Sequence, residues 1–109
     1  MPTVYKILGQ AAPAATTPTV LYTVPTGIQA ICSSLIVNNR SGTQGSFRVS
    51  ISQAGAATAN KDYIYYDLLI AGNDTFIATI GVTLGSGDVV RVYSSTANMS
   101  FSIYGSEIN

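Results

Sequence analysis

The amino-acid sequence predicts an all-β fold, namely an antiparallel β-sandwich of about eight short strands arranged like a jelly roll. An immunoglobulin-like sandwich is the alternative. Eight β-prone segments alternate with turns rich in glycine, proline, asparagine and aspartate. No segment has a convincing helical period, and 109 residues suit one domain. Eight short strands in a chain of this length are typical of a sandwich or a small barrel.

The first eighteen residues are predicted to be an extended arm and linker, so that residues 19–109 form the single sandwich domain. Residues 4–8 are β-prone and end at Gly9, and two prolines interrupt the stretch that follows. A lone strand leaves its ladder groups unpaired, so residues 4–8 must pair with their own sandwich or with a neighbour's sheet. We favour the neighbour, because the linker could span roughly 30 Å at about 3.3 Å per residue. Its candidate interface residues are Val4, Tyr5 and Ile7.

Seven further strands are predicted after the arm. They are residues 19–24, 28–38, 46–52, 63–70, 75–82, 89–94 and 99–104. The second of these is long and serine-rich, which favours a bulge near Cys32 to Ser34. Gly105 is predicted to end the last strand, and residues 53–60 are predicted to be a loop. Alternation of apolar and polar residues predicts which side chains point inward. They are Phe47, Val49, Ile51, Val90, Val92, Phe101 and Ile103.

The charge content of the chain is unusually low. Charged residues make up 9% of it, five basic against five acidic, whereas soluble domains average about 25%. A neutral chain offers no electrostatic attraction for nucleic acid or an anionic membrane, so neither is an expected partner. It also lacks the repulsion that keeps monomers apart. The composition therefore predicts that much of the surface contacts other subunits.

Catalytic and metal-binding patterns are missing from the sequence. Histidine is absent, and Cys32 is the one cysteine, so the usual triads and zinc sites cannot be assembled. No phosphate-binding glycine motif and no calcium-loop spacing occurs. We therefore expect a protein that is not an enzyme, with no catalytic residue, cofactor or metal. Cys32 itself lies in an apolar run and is expected to be buried.

Asp67 is the most unusual carboxylate, because it is placed in the middle of a predicted strand. With Asp62 it could form the carboxylate pair of a glycosidase. A hydrogen-bonded or salt-bridged role with Arg48 or Arg91 is the favoured interpretation.

A tyrosine-rich strand supplies the remaining candidate interface residues, Tyr63, Tyr65 and Tyr66. Tyrosine is common at protein interfaces. The alternative is an aromatic platform for sugar, as in a carbohydrate-binding module that contacts host-surface glycans. Alternation places the three tyrosines on both faces of the strand, so at most two can share a surface.

Several segments together resemble a group of small virion structural proteins of tailed bacteriophages. The resemblance lies in residues 21–27, 33–40, 45–51, 59–75, 81–96 and 99–108, which cover nearly the whole chain. These are turn and strand patterns rather than catalytic motifs. The resemblance implies a β-sandwich that cements or decorates the capsid, or a tail or baseplate component.

The resemblance also implies the partners and the location of the chain. The expected partners are further copies of itself, as a homotrimer or another closed oligomer, and the major capsid protein or other virion proteins. The N-terminus lacks the pattern of a signal peptide, and no apolar run reaches the ~18–20 residues of a membrane span. We therefore expect synthesis in the host cytoplasm and a final location in the virion.

Overall fold

The computed structural model describes residues 2–109, which form eight strands. These are β1 (Thr3–Ala11), β2 (Thr19–Thr23), β3 (Gln29–Asn39), β4 (Gly45–Ser52), β5 (Tyr63–Ile70), β6 (Thr75–Leu84), β7 (Val89–Ser94) and β8 (Met99–Ile108). Two short 3₁₀ turns, Gln53–Gly55 and Asn60–Asp62, interrupt the loop predicted between β4 and β5. Alternating burial along most strands shows one face packed inward and one facing out, as the period-2 pattern predicts.

The strands form two antiparallel four-stranded sheets, in the orders β1-β8-β3-β6 and β2-β7-β4-β5. The orders follow from one long antiparallel ribbon in which the first strand meets the last, the second meets the seventh, and so on inward. When that ribbon wraps into two layers, successive strand pairs go to opposite sheets: β1-β8 and β3-β6 to one, β2-β7 and β4-β5 to the other. This is jelly-roll topology, and it confirms the predicted fold class. The immunoglobulin-like alternative has a different strand order.

The core lies between the two sheets, and the predicted inward residues form much of it. Phe47 and Phe101 are fully buried, with ring centroids 5.9 Å apart, and they join one sheet to the other. Val49, Val90, Val92 and Ile103 are also buried. Ile51 differs in degree, because it is half-buried and packs against the edge of the core. Sequence alternation thus located the core face of β4, β7 and β8.

The N-terminal segment pairs with its own sandwich, which corrects the preference for pairing with a neighbour's sheet. Thr3–Ala11 forms β1 and pairs with β8 of the same chain, from Thr3 opposite Ile108 to Ala11 opposite Phe101. Leu8 is buried in the core. The physical reason is that β8 would otherwise leave a row of unpaired backbone groups beside it. Residues 12–18 then carry the chain across to β2 in the other sheet.

Two glycines interpreted as strand ends are positions of close backbone approach instead. A Cβ on Gly105 would collide with the carbonyl oxygen of Ile31, and one on Gly9 with the carbonyl oxygen of Leu21. Strand β8 therefore continues through Gly105 to Ile108 and does not end at Gly105 as predicted. Glycine inside a strand often marks such an approach.

The bulge expected in the long β3 strand is present. The register of β3 shifts between Cys32 and Ser34 against both β6 and β8. Cys32 is buried beside it, as predicted, and burial raises the pKa of its thiol to about 11. A thiol held in its neutral form is a poor nucleophile.

Candidate interaction surfaces

The outer side of the β1-β8-β3-β6 sheet, here called the uncharged face, consists of the side chains that these strands direct away from the core. Ile36 belongs to it because its neighbours Leu35 and Val37 are fully buried. Ile36 lies opposite Ile77 of β6, and Ile7 of β1 lies opposite Tyr104 of β8. Serine, threonine and asparagine fill the positions between these apolar side chains.

Several of these apolar side chains are strongly exposed. Tyr5 is 83% exposed, Ile77 69% and Ile7 50%. Tyr5, Ile7, Ile31 and Tyr104 also line one open groove on this face. Single exposed apolar residues are normal, but a contiguous patch commonly marks an interaction site. Sequence reasoning missed Ile77. A signal was present, because β6 consists of threonine and apolar residues and carries no charge.

Only Lys6 and Glu107 carry charge on the four strands of this sheet, and they neutralise each other at its rim. Lys6 Nζ lies 3.3 Å from Glu107 Oε1. The other side chains of these strands carry no formal charge, and the one further charge beside the face is that of Arg40, whose Nε donates to Ser100 Oγ at the end of the face where β8 begins. Depletion of charge is typical of the centre of a protein interface.

The outer side of the β2-β7-β4-β5 sheet, here called the polar face, is centred on Arg48. Its Nε lies 2.6 Å from Asp67 Oδ1, and its Nη2 lies 3.2 Å from Asp67 Oδ2. The guanidinium carbon is 4.2 Å from the ring centre of Tyr66 and 4.4 Å from that of Tyr93. This confirms the ion pair anticipated for Asp67. The hydrogen bond from Arg48 lowers the pKa of Asp67, and the same bond raises the pKa of Arg48.

The three sequence-predicted tyrosines of β5 do not act together. Tyr65 turns inward, and its ring centroid is 6.0 Å from that of Phe47 and 5.4 Å from that of Phe76. This half-buried ring therefore packs against the core, and its assignment to an interface stays a prediction. Tyr63 and Tyr66 share the polar face, with ring centroids 4.9 Å apart and nearly perpendicular planes. Register shifts between β4 and β5 explain why residues 63 and 66 end on one side.

The candidates on β1 lie apart from those on β5. Tyr5 and Ile7 belong to the uncharged face, whereas Val4, 52% exposed, lies at the rim opposite Glu107. Tyr63 and Tyr66 belong to the other sheet. The predicted interface residues are thus divided between two surfaces on opposite sides of the sandwich.

Arg91 of β7 is a second arginine on the polar face. Its Nη1 donates to Ser52 Oγ at 3.0 Å, to the carbonyl oxygen of Ala56 at 3.0 Å, and to Thr58 Oγ1 at 3.3 Å. These bonds fasten the segment between β4 and β5 to the sheet. Sequence reasoning named Arg91 only as an alternative partner of Asp67.

Across residues 2–109, no three histidine, cysteine, aspartate or glutamate side chains come together as a metal site. None of the helices in this part of the chain is long and apolar enough to cross a membrane.

No family model and no curated protein matches this chain. Among solved structures, it superposes on a chain from infectious bursal disease virus, Gx strain, with a TM-score of 0.53 and 9% identity. That match covers 97% of this chain and 31% of the viral chain.

A second solved structure is a pentameric capsid protein isolated from metagenomic phage sequences. It has 14% identity over 96% of this chain and 59% of the other, but its TM-score of 0.37 is too low to indicate a shared fold. The chain thus spans less than two thirds of either structure. The viral match shows a shared fold and leaves function to be argued from the surfaces.

Proposed function

We propose that the chain is a non-enzymatic structural protein of a virion, and specifically a bacteriophage capsid cement or decoration protein. The observation that carries this proposal is the uncharged face, a broad sheet surface with exposed apolar side chains such as Tyr5 and Ile77. The jelly-roll likeness to a chain of a virus structure supports it by analogy of fold.

The uncharged face suits repeated protein–protein contacts. Each apolar Å² removed from water contributes about 25 cal/mol, so a patch that is modest in one subunit becomes substantial when symmetry repeats it. A partner that contacts the middle of this face, away from Arg40, gains this energy without desolvating an unpaired charge, which is costly. Subunits that bind the assembled lattice but not its opened form would stabilise the lattice by mass action.

The absence of enzymatic activity is part of the same proposal. The sequence contains no histidine, and its one cysteine is buried with a raised pKa. Asp62 and Asp67 are each paired with a basic side chain, Lys61 and Arg48. Paired carboxylates with lowered pKa values are poor general acids at neutral pH.

The proposed partners follow from the surfaces. They are other copies of this chain in a closed oligomer and the major capsid protein, without nucleic acid or membrane. The protein would be made in the host cytoplasm and incorporated into the virion. A tail or baseplate position would use the same kind of contact, and it differs in copy number.

The test is the number of copies in purified particles, measured by quantitative mass spectrometry against the major capsid protein. Hundreds of copies per particle are expected for a capsid protein. A few to a few tens of copies would replace the capsid assignment with a tail or baseplate one. Absence of the chain from purified particles would overturn the virion role itself.

A further inference from the structure

A shallow pocket on the polar face is lined by arginine, tyrosine and hydroxyl residues, a combination that a role in assembly does not require. It lies between β4, β7 and the start of β5, and its volume is ≈ 80 Å³. Its walls include the hydroxyl residues Ser50 and Thr58, the rings of Tyr63 and Tyr93, and Arg91. Ser50 is almost fully buried, so this polar residue lies at the base of the pocket rather than on open surface.

The two arginines beside this pocket differ in how their charge is used. Arg48 binds Asp67 through the edge formed by Nε and Nη2. Arg91 uses Nη1 for its three bonds, and among residues 2–109 no carboxylate lies within 4.0 Å of it. Asp62 approaches from beyond Ser52, but its Oδ1 is 2.8 Å from Lys61 Nζ.

The edge of Arg91 formed by Nε and Nη2 makes no hydrogen bond within the described residues. Arg48 shows, in the same sheet, what this edge binds, namely a carboxylate in the two-point arrangement. The bonds of Arg91 Nη1 hold its guanidinium in place. A carboxylate therefore meets a positioned fork and a positive charge that no acidic side chain has neutralised.

Two further properties of the pocket indicate a sugar. A volume of ≈ 80 Å³ exceeds the roughly 10–15 Å³ that one water needs, so the pocket has room for a carboxylate group. The rest of the ligand would lie across the rim, where Tyr63 offers an aromatic surface, whereas one face of Tyr93 is covered by Arg48. The hydroxyls of Ser50 and Thr58 can exchange hydrogen bonds with sugar hydroxyls.

We propose that this pocket binds the carboxylate of an acidic sugar, such as a sialic or uronic acid residue. The proposal goes beyond the virion role and does not depend on it. A second copy of the chain is a poor source of the carboxylate, because each of its acidic side chains already accepts a hydrogen bond from a donor in the same chain. Their donors are Lys61, Arg48, the Thr75 amide, the Ala54 and Gly85 amides, and Tyr22.

The test is titration of the full chain with methyl glucuronide or methyl sialoside, followed by ¹H–¹⁵N NMR. The expected result is a shift of the Arg91 Nε–H signal, with smaller shifts at Ser50 and Tyr63. Neutral methyl glucoside and acetate are run in parallel. Binding of methyl glucoside as strong as that of the acid would overturn the role of the carboxylate. Equal binding of acetate would overturn the role of the sugar.

Arg91→Lys keeps the charge but loses the fork, and it should weaken binding of the acidic sugar by about tenfold or more. Arg40→Gln is the matched control, because Arg40 also bonds a serine hydroxyl and a backbone carbonyl but lies outside the pocket. Tyr63→Ala, which leaves Arg91 in place, should weaken sugar binding without affecting acetate. Unchanged affinity in both Arg91→Lys and Tyr63→Ala would overturn the proposal.

Discussion

The hydroxyl of Tyr22 donates a hydrogen bond to Oε2 of Glu107 over 2.5 Å, and this bond joins the two sheets at one end of the sandwich. Tyr22 lies on β2, and Glu107 lies on β8 in the opposite sheet. Glu107 also accepts from Lys6 of β1, so the group links three strands. The bond from Tyr22 is the main reason that the pKa of Glu107 lies below its usual value.

Tyr22→Phe should therefore destabilise the protein, and more so at neutral pH than in acid. A hydrogen bond to a charged group contributes about 1.5–3 kcal/mol, and the mutant loses it. The pKa of Glu107 is lowered in the folded state, so this contribution is present above the unfolded value of about 4.3 and is lost as pH falls through the folded value. Urea unfolding of the wild type and the mutant at neutral pH and at about pH 2–3 measures the difference between their free energies of unfolding, which should be smaller in acid.

Tyr104→Phe is the control for this prediction. Tyr104 lies on the uncharged face, so this substitution should change the free energy of unfolding of the protein little. A deficit for Tyr22→Phe that is the same at both pH values would contradict the role of the Glu107 charge.

Phe101→Ala should lower the free energy of unfolding by about 3–5 kcal/mol, the usual cost of deleting a buried aromatic ring. Phe101 is fully buried against Phe47. Ile77→Ala, at a site 69% exposed, should change the free energy of unfolding by less than about 0.5 kcal/mol. Chemical denaturation compares the two, and similar losses would show that the core is elsewhere.

Gly105→Ala should destabilise the protein strongly, because the new methyl group would collide with the carbonyl oxygen of Ile31 in the adjacent strand. Backbone cannot move aside as a flexible side chain can, so overpacking here should cost at least about 1–3 kcal/mol. Gly42→Ala is the control, since the nearest atom to its Cβ is Asn73 Nδ2 at 3.7 Å. Equal melting temperatures for the two variants would contradict the close approach of β8 and β3.

Deleting residues 2–11 should unfold the protein or lower its melting temperature sharply. The deletion removes a full edge strand and the buried Leu8, and it uncovers the backbone of β8. Circular dichroism during heating checks this. A truncated chain that melts like the intact one would restore the idea of a detachable arm.

Ile77→Lys should weaken self-association of the purified chain by tenfold or more, because it places an unpaired charge on the uncharged face. Sedimentation velocity over a concentration series measures this. Leu69→Lys is the matched control, at a site 64% exposed on the other sheet. If the two variants associate alike, the uncharged face is not the contact between copies.

Sequence alternation predicted the fold class and the core because those depend on a local pattern. Phe47 and Val49 alternate with polar neighbours, and that pattern fixes their face without knowledge of the partner strand. Gly105 and Gly9 were misread for the opposite reason. A glycine that ends a strand and one that admits a neighbouring carbonyl look the same in sequence, and only the packing of distant segments distinguishes them.

The same limit applies to polar residues. Asn39 falls between the predicted strands 28–38 and 46–52, yet it is 1% exposed. Its side-chain amide donates to the carbonyl oxygens of Thr43 at 2.9 Å and Ala71 at 3.2 Å. Likewise, the pocket beside Arg91 depends on where the segment between β4 and β5 returns to the sheet. Such contacts join residues far apart in sequence, so composition and spacing do not reveal them.

The pairing of β1 with β8 has a consequence for how the chain is made. Thr3 lies opposite Ile108, so of the eight strands the first to be synthesised needs the last one as its partner. At about 5–20 residues per second, β1 must wait roughly 5–20 s for that partner to be synthesised. Pairings between such distant segments also slow folding itself. The sandwich therefore closes only after β8 has been synthesised, and until then β1 and its apolar side chains are open to capture by a chaperone or by another nascent chain.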